Sequence, residues 1–135
     1  MRDIPKLLLG GMLLVSFPFA AGAAARLDPE AKLAQSLNGR VAGEPVDCVD
    51  LSDIRSSRII NRTAILYETR GGTIYVNRPD AGRESLSDWD VLVTRTHMNR
   101  LCSIDVVELY DSGARMRTGS VFLGRFVPYR KPGRR

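Results

Sequence analysis

The stretch TAILYETRGGTIYVNRP, residues 63–79, restricts the fold more than any other part of the sequence. Two runs rich in β-branched and aromatic residues flank Gly71-Gly72, and this arrangement is typical of a β-hairpin with a two-residue turn. The face opposite its apolar residues is mostly polar, so the sequence predicts a half-buried antiparallel pair. If Arg70 faces Thr73, the apolar face collects Ile65, Tyr67, Thr69, Ile74 and Val76.

Further strand signals occur on both sides of this hairpin. The segments RSSRIIN, DVLVTRT, SIDVVELY and SVFLGRFVPY are rich in β-branched and aromatic residues, and Asn61-Arg62 suits a tight turn. Short strands separated by turns, without an internal repeat, predict a mainly β domain. We expect a small antiparallel β-sandwich or a partly open barrel, placed at residues 46–129. In its last strand we expect both Phe122 and Phe126 to lie in the core.

One short helix is expected before the strands, in a segment of helix and linker at residues 26–45. Leu33 and Leu37 give it a narrow apolar stripe, because residues four apart share one helix face. Such a stripe buries little by itself, so the helix should pack on the β-rich domain. Its start and end signals are Asp28, Pro29 and Asn38-Gly39.

The first 25 residues have the order of parts that a secretory signal peptide shows. Arg2 and Lys6 give a positive start, an apolar run follows at residues 7–21, and A-x-A cleavage signatures end at Ala23 and Ala25. We therefore expect cleavage at one of these sites and a periplasmic or secreted mature chain without a transmembrane span. The alternative is an uncleaved membrane anchor, although crossing a bilayer takes about 20 mostly apolar residues and this run is shorter.

The chain has two cysteines, Cys48 and Cys102. In an oxidising compartment an even pair most often forms a disulfide, and closing a loop of this size stabilises a fold by about 4 kcal/mol. We therefore expect a Cys48–Cys102 disulfide. A metal site is disfavoured, because zinc takes three or four ligands and the chain adds only His97 to the two cysteines.

A nucleophilic cysteine is a further alternative. VDCVDL with His97 downstream resembles the exported cysteine peptidases that cut cell-wall peptides, which place an Asp-Cys-Ser-Gly motif at a helix start. Here Val49-Asp50 stands in place of Ser-Gly, and the acidic neighbours Asp47 and Asp50 would raise the pKa of a Cys48 thiol. A cysteine-dependent cell-wall hydrolase is therefore less favoured than a non-enzymatic domain.

Basic residues outnumber acidic ones, 20 to 15 over the whole chain. This excess is mild, so it permits an acidic partner without requiring one, and we expect no nucleic-acid partner. The last six residues, 130–135, are predicted to form a loose basic tail. Aromatic residues lie among the cations of this end, so an anionic lipid or polymer of the cell envelope is a candidate partner. The candidate anion-binding residues are Arg125, Arg130, Lys131, Arg134 and Arg135.

No other pattern in the sequence indicates a catalytic or cofactor site. The P-loop, G-x-S-x-G, H-E-x-x-H and dinucleotide-binding motifs are absent, and we expect no cofactor. The series Asp47, Asp50 and Asp53 lacks the spacing of a calcium loop and is interpreted as a solvated acidic edge. Asp88 and Asp90, beside Trp89, are interpreted as an ordinary acidic turn.

Three segments of the chain resemble small exported bacterial domains of unknown function. The segments are CVDLSDIRSSRIIN, LCSID and LGRFVPY, and the resemblance covers most of residues 48–129. Those domains have a cysteine before an IRSxRIID-like strand, a later LCSxD segment and a closing LGxFVPY. The resemblance implies export, the disulfide and a β-rich fold, and it implies no catalytic residue. The expected role is thus binding or scaffolding in the periplasm.

Overall fold

The computed structural model describes residues 26–133. The helix α1 spans Pro29–Ser36, and short 3-10 turns occupy Leu51–Asp53 and Arg83–Ser85. The strands are β1 Val41–Ala42, β2 Cys48–Asp50, β3 Ile54–Ile60, β4 Ala64–Thr69, β5 Ile74–Asn77, β6 Val91–Thr94, β7 Arg100–Cys102, β8 Val106–Asp111, β9 Met116–Phe122 and β10 Phe126–Arg130. They form three antiparallel sheets with the orders β1-β10-β5-β4-β3, β2-β7 and β6-β8-β9. The predicted mainly β fold is confirmed, and the sheets remain open.

Two apolar clusters fix how these layers pack. The larger cluster lies between the five-stranded sheet and the two smaller sheets, and the smaller one lies between the five-stranded sheet and α1. The larger consists of Val49, Ile59, Ile65, Tyr67, Leu86, Leu101, Val107, Leu109, Val121, Leu123 and Phe126. The smaller consists of Leu33, Ile60, Ala64, Leu66, Ile74 and Val76. The central strands of the five-stranded sheet, β4 and β5, are therefore buried on both faces.

The hairpin of β4 and β5 forms as predicted, but its loop has three residues instead of two. The Thr69 N–H donates to the Thr73 carbonyl at 2.8 Å and closes the loop around Arg70, Gly71 and Gly72. Gly72 has a φ of 87°, in the left-handed region that glycine adopts without strain. The predicted two-residue turn is therefore wrong, and every pair of the hairpin is shifted by one residue.

This shift changes which side chains share a face. Leu66 opposes Val76 on the face under α1, whereas Ile65 and Tyr67 lie on the opposite face, against the smaller sheets. The prediction that one face of the hairpin is polar and open to solvent is wrong. Helix α1 covers that face, and its Leu33 is only 3% exposed. A strand buried on both faces needs apolar residues in succession, and β4 supplies them.

Helix α1 begins at Pro29, as predicted, and ion pairing joins it to the sheet. Asp28 occupies the N-cap position, but its side chain makes no capping hydrogen bond, so that part of the prediction is wrong. Arg78, after β5, donates to both carboxylate oxygens of Glu30 at 2.8 and 3.0 Å. These hydrogen bonds lower the pKa of Glu30 and raise the pKa of Arg78. Within residues 26–133, no helix has the length and apolar content to cross a bilayer.

The expected last strand, residues 120–129, is divided into β9 and β10. The break at Gly124 is stabilised by the fully buried Asn77, whose amide donates to the Gly124 carbonyl at 2.7 Å and accepts from the Gly124 N–H at 3.0 Å. Phe126 of β10 is fully buried, as expected. Phe122 is 53% exposed, so its predicted place in the core is wrong, because it lies on the open face of the three-stranded sheet.

The first and last strands of the described chain are neighbours. Strand β1, in the segment expected to be a linker, pairs with β10, and Val41 opposes Arg130. Arg130 is therefore the end of a strand inside the five-stranded sheet, and residues 131–133 follow it. Arg134 and Arg135 lie outside the described residues, as do residues 1–25 with the expected signal peptide.

The predicted disulfide joins Cys48 and Cys102, whose sulfur atoms are 2.06 Å apart. The two residues are directly opposite each other on β2 and β7. Strand β2 leads into β3 of the five-stranded sheet, and β7 leads into β8 of the three-stranded sheet. The disulfide therefore ties together the segments that enter the two larger sheets.

Candidate anion-binding groove

A groove of about 450 Å³ lies at the hairpin end of the five-stranded sheet. Its lining comes from three distant parts of the chain: Arg40 after α1, the β4–β5 loop, and Arg130 with Lys131 at the end of β10. The strand register explains this convergence. Tyr129 of β10 opposes Ile74 of β5, so the next residue, Arg130, comes level with the hairpin loop.

Arg40 is fixed in the wall of the groove by backbone acceptors. Its Nη1 donates to the Gly72 carbonyl and lies 3.5 Å from the Tyr129 carbonyl. The side chain is partly buried, and it forms no ion pair with a carboxylate in the described part of the chain. Its charge is therefore positioned by neutral groups and remains available to an anion.

Arg130 and Lys131 add two exposed cations, and neither has an ion-pair partner among residues 26–133. The Arg130 guanidinium lies against the backbone of Gly43, where an added Cβ would be 3.3 Å from Nη1. The lining includes one carboxylate, Glu68, which is paired with Arg55 at 2.5 Å. Three cations and one already paired acid give the groove a positive potential.

The predicted anion-binding residues do not all come together. Arg130 and Lys131 line the groove, but Arg125 does not. The Arg125 Nε donates to Asp47 at 3.0 Å, and its Nη2 donates to the Pro45 carbonyl at 3.1 Å. Arg125 therefore fastens the segment before β2 to the start of β10.

The sequence did not indicate Arg40 as a candidate anion-binding residue. This residue precedes Tyr129 by 89 positions, and only strand pairing brings the two segments together. The one local signal is the β-branched Val41 immediately after it, which is compatible with a short strand. Two residues are too few for such a signal to be recognised in a segment that also contains Gly43 and Pro45.

The acidic series before β3 is exposed and largely paired with arginines. Asp47 accepts from Arg125, and Asp50 lies 3.7 Å from the Arg100 Nε. Asp53 accepts a backbone hydrogen bond from Arg70 through its carbonyl. Among residues 26–133, no group of three or more His, Cys, Asp and Glu side chains is placed to hold a metal ion.

The cysteine-dependent hydrolase requires a thiolate nucleophile. The chain has only two cysteines, and both are in the disulfide. His97, the base in that hypothesis, is an exposed residue of the β6–β7 loop. The oxidised protein therefore has no thiol with which a histidine could act.

The chemistry of the groove suits an oxyanion. The planar fork of arginine binds phosphate or carboxylate oxygens through two parallel hydrogen bonds, and lysine adds a mobile point charge.

Comparisons of the chain with protein-family models, with curated proteins and with solved structures find no match.

Proposed function

We propose that the protein is an exported, non-enzymatic binding domain that holds an anionic component of the cell envelope in its basic groove. The convergence of Arg40, Arg130 and Lys131 carries this proposal. Arg40 is already oriented by two backbone carbonyls, so it loses little conformational freedom when an anion binds. The ligand is therefore recognised by charge and by guanidinium geometry.

Export is supported by two independent features. Residues 1–25 have the sequence pattern of a signal peptide, and the Cys48–Cys102 disulfide is typical of proteins that fold in an oxidising compartment. The resemblance to small exported bacterial domains agrees with both. In the periplasm the abundant polyanions are lipid headgroups, lipopolysaccharide and wall polymers, and all of them carry phosphate or carboxylate groups.

Vesicle binding tests the proposal. The oxidised protein is sedimented with vesicles of phosphatidylglycerol and phosphatidylcholine, and with vesicles of phosphatidylcholine alone. We expect binding to the anionic vesicles only, and we expect it to weaken as salt rises, because exposed charges are screened over about 10 Å at 0.1 M. Each cation near an anionic surface contributes about 1 kcal/mol, so combining Arg40→Gln, Arg130→Gln and Lys131→Gln should weaken binding by about a hundredfold.

A matched variant separates the groove from net charge. Arg62, Arg83 and Arg115 are exposed, do not line the groove, and form no side-chain ion pair within residues 26–133. Their combined change to Gln removes the same charge and should weaken binding much less. Equal losses in the two triple variants would contradict the proposal, and so would binding that is insensitive to salt.

A second variant separates loss of binding from loss of the fold. Arg130→Gln with Lys131→Gln leaves the backbone contacts of Arg40 intact, so its thermal midpoint should match that of the unchanged protein. It should still lose most of the binding to anionic vesicles. Full binding by this variant would place the contact surface elsewhere on the molecule.

A further inference from the structure

Trp89 is the only tryptophan of the chain, and its side chain is 85% exposed. It lies on the turn that leads into β6. A tryptophan removes about 150–250 Å² from water when it packs, so a single exposed indole forgoes a large hydrophobic contribution to folding. Tryptophan is also enriched among the residues that dominate binding. The surface around Trp89 is therefore a candidate binding surface.

The turn that carries the indole is fixed on both sides. The Asp88 N–H donates to the Asn61 side-chain oxygen at 2.5 Å, and the Asp88 carboxylate pairs with Lys32 of α1 at 3.2 Å. On the other side, Asp90 accepts from the Thr118 hydroxyl of β9 at 2.6 Å. An aromatic ring on an anchored turn loses little freedom on binding, as in preorganised binding sites.

A groove of about 490 Å³ lies beside the indole, between the start of α1 and the turn. Leu27 and Pro29 also line it with apolar surface, and Gln35 and Asn61 add planar amides. This volume is within the range of small-molecule sites, about 300–1,000 Å³. The groove thus combines an aromatic platform with hydrogen-bonding side chains.

The charges of this groove are more nearly neutralised than those of the basic groove. Arg26 and Lys32 line it together with one carboxylate, Asp88, which is paired with Lys32 at 3.2 Å. A polyanion would gain little attraction here, because Arg26 is the one lining cation without an ion-pair partner among residues 26–133, against three cations in the basic groove. An acyl chain or an apolar peptide would remove these charges from water without offering hydrogen bonds, which is unfavourable.

We infer that this groove binds a neutral, hydroxyl-rich oligosaccharide whose C–H face stacks on Trp89. Sugar hydroxyls can donate to the Asp88 carboxylate and can exchange hydrogen bonds with the amide of Gln35. The ring face of the sugar removes the indole from water at the same time. A neutral glycan satisfies both the apolar and the polar parts of the lining. This site is distinct from the basic groove.

Intrinsic fluorescence reports on the site directly, because Trp89 is the only tryptophan. The oxidised protein is titrated with neutral hexasaccharides of β-linked glucose, α-linked glucose and β-linked N-acetylglucosamine. We expect at least one of them to give a saturable blue shift, with the same Kd by calorimetry. By calorimetry, Trp89→Ala should weaken binding by about tenfold or more, and Trp89→Tyr should retain part of it. Gln35→Ala should weaken it severalfold.

The matched control is Met98→Ala, which removes an apolar side chain that is 69% exposed and does not line this groove. Its sugar binding should be unchanged. The inference is overturned if none of the three sugars gives a saturable signal, or if Trp89→Ala binds equally well. A blue shift with vesicles or an apolar peptide, and none with sugars, would assign the surface to that partner instead. Binding of Trp89→Ala to anionic vesicles should be unchanged, which distinguishes this site from the proposed function.

Discussion

The centre of the five-stranded sheet is covered on both faces, whereas the three-stranded sheet is covered on one. In β4 the run from Ala64 to Tyr67 is buried at every position. In β8 burial alternates: Val107 and Leu109 are fully buried, and Val106 is 40% exposed. Strands β4 and β8 both pair antiparallel with their neighbours, yet their burial patterns differ, because α1 covers the second face of the five-stranded sheet only.

The open face of the three-stranded sheet carries charge among apolar side chains. Glu108 of β8 lies 3.2 Å from Arg117 and 3.6 Å from Arg95. The directly paired Val106 and Phe122 are exposed beside this ion-pair group. The sequences of the two strands reflect this difference in burial. The uninterrupted apolar run AILY of β4 is typical of a strand covered on both faces, and the charged residue within VVELY of β8 is typical of a strand covered on one face.

The largest expected change in stability comes from removing the disulfide that ties the segments entering the five-stranded and three-stranded sheets. Replacing Cys48 and Cys102 by Ser should lower the free energy of unfolding by about 4 kcal/mol, because the unfolded chain gains loop entropy. Urea denaturation measures the loss. Chemical reduction of the unchanged protein should lower stability to a similar extent. A loss below about 1 kcal/mol would contradict this loop-entropy account of the disulfide.

Two side-chain truncations, one in β4 and one in β8, test the difference in burial between the two sheets directly. Leu66→Ala removes a side chain on the helix-covered face of β4, so it should lower the free energy of unfolding by about 2–5 kcal/mol. Val106→Ala, at an open position of β8, should change it by about 0.5 kcal/mol or less. Urea denaturation of the two variants provides the measurement. Similar losses in both would show that the open face is covered in solution.

The next effect is a gain in stability. The Tyr67 hydroxyl is buried without a hydrogen-bond partner among the described residues, and burial raises the pKa of Tyr67 well above its usual value. Tyr67→Phe removes this unsatisfied group and should raise the free energy of unfolding by about 1 kcal/mol. Tyr110→Phe, on the less covered β8, is the control and should have little effect. A loss of stability in Tyr67→Phe would reveal a partner for the hydroxyl.

The smallest effect concerns the ion pair between the covering helix and the sheet. Glu30→Gln should lower stability at pH 7 by about 1 kcal/mol or less, because the pair is exposed to solvent. The folded pKa of Glu30 is lowered. Its contribution is therefore complete above the usual glutamate pKa of about 4.3 and is lost as the pH falls through the lower folded value. Thermal midpoints of the variant and the unchanged protein should converge as the carboxylate is protonated. Glu44→Gln, at an exposed position, is the control.

Local signals in the sequence predicted the elements that depend on neighbouring residues. Pro29 indicated the start of α1, Gly71-Gly72 indicated the hairpin, and the even number of cysteines indicated the disulfide. Each of these rests on backbone geometry or on redox chemistry within a short segment. The faces of the hairpin depend instead on a covering helix some thirty residues away, and on whether the loop has two or three residues.

The candidate sites were harder to predict because they depend on long-range pairing and on exposure. Arg130 and Lys131 were recognised as cations, but Arg40 joins them only through the pairing of β1 with β10. Trp89 was interpreted as part of an ordinary acidic turn, because a sequence does not show whether an aromatic residue is exposed. Arg125 was grouped with the cations of the tail because the sequence does not show its carboxylate partner, Asp47, which is 78 residues away.

The position of β10 has a consequence for the order in which the sheet can form. This strand follows the other described strands in sequence, yet it lies inside the sheet between β1 and β5. Until residues 126–130 are in place, β1 has no partner, one edge of β5 is open, and Phe126 is missing from the core. The five-stranded sheet therefore cannot form piece by piece from its N-terminal side. A truncation before Phe126 removes an interior strand, whereas one after Lys131 leaves every described strand in place.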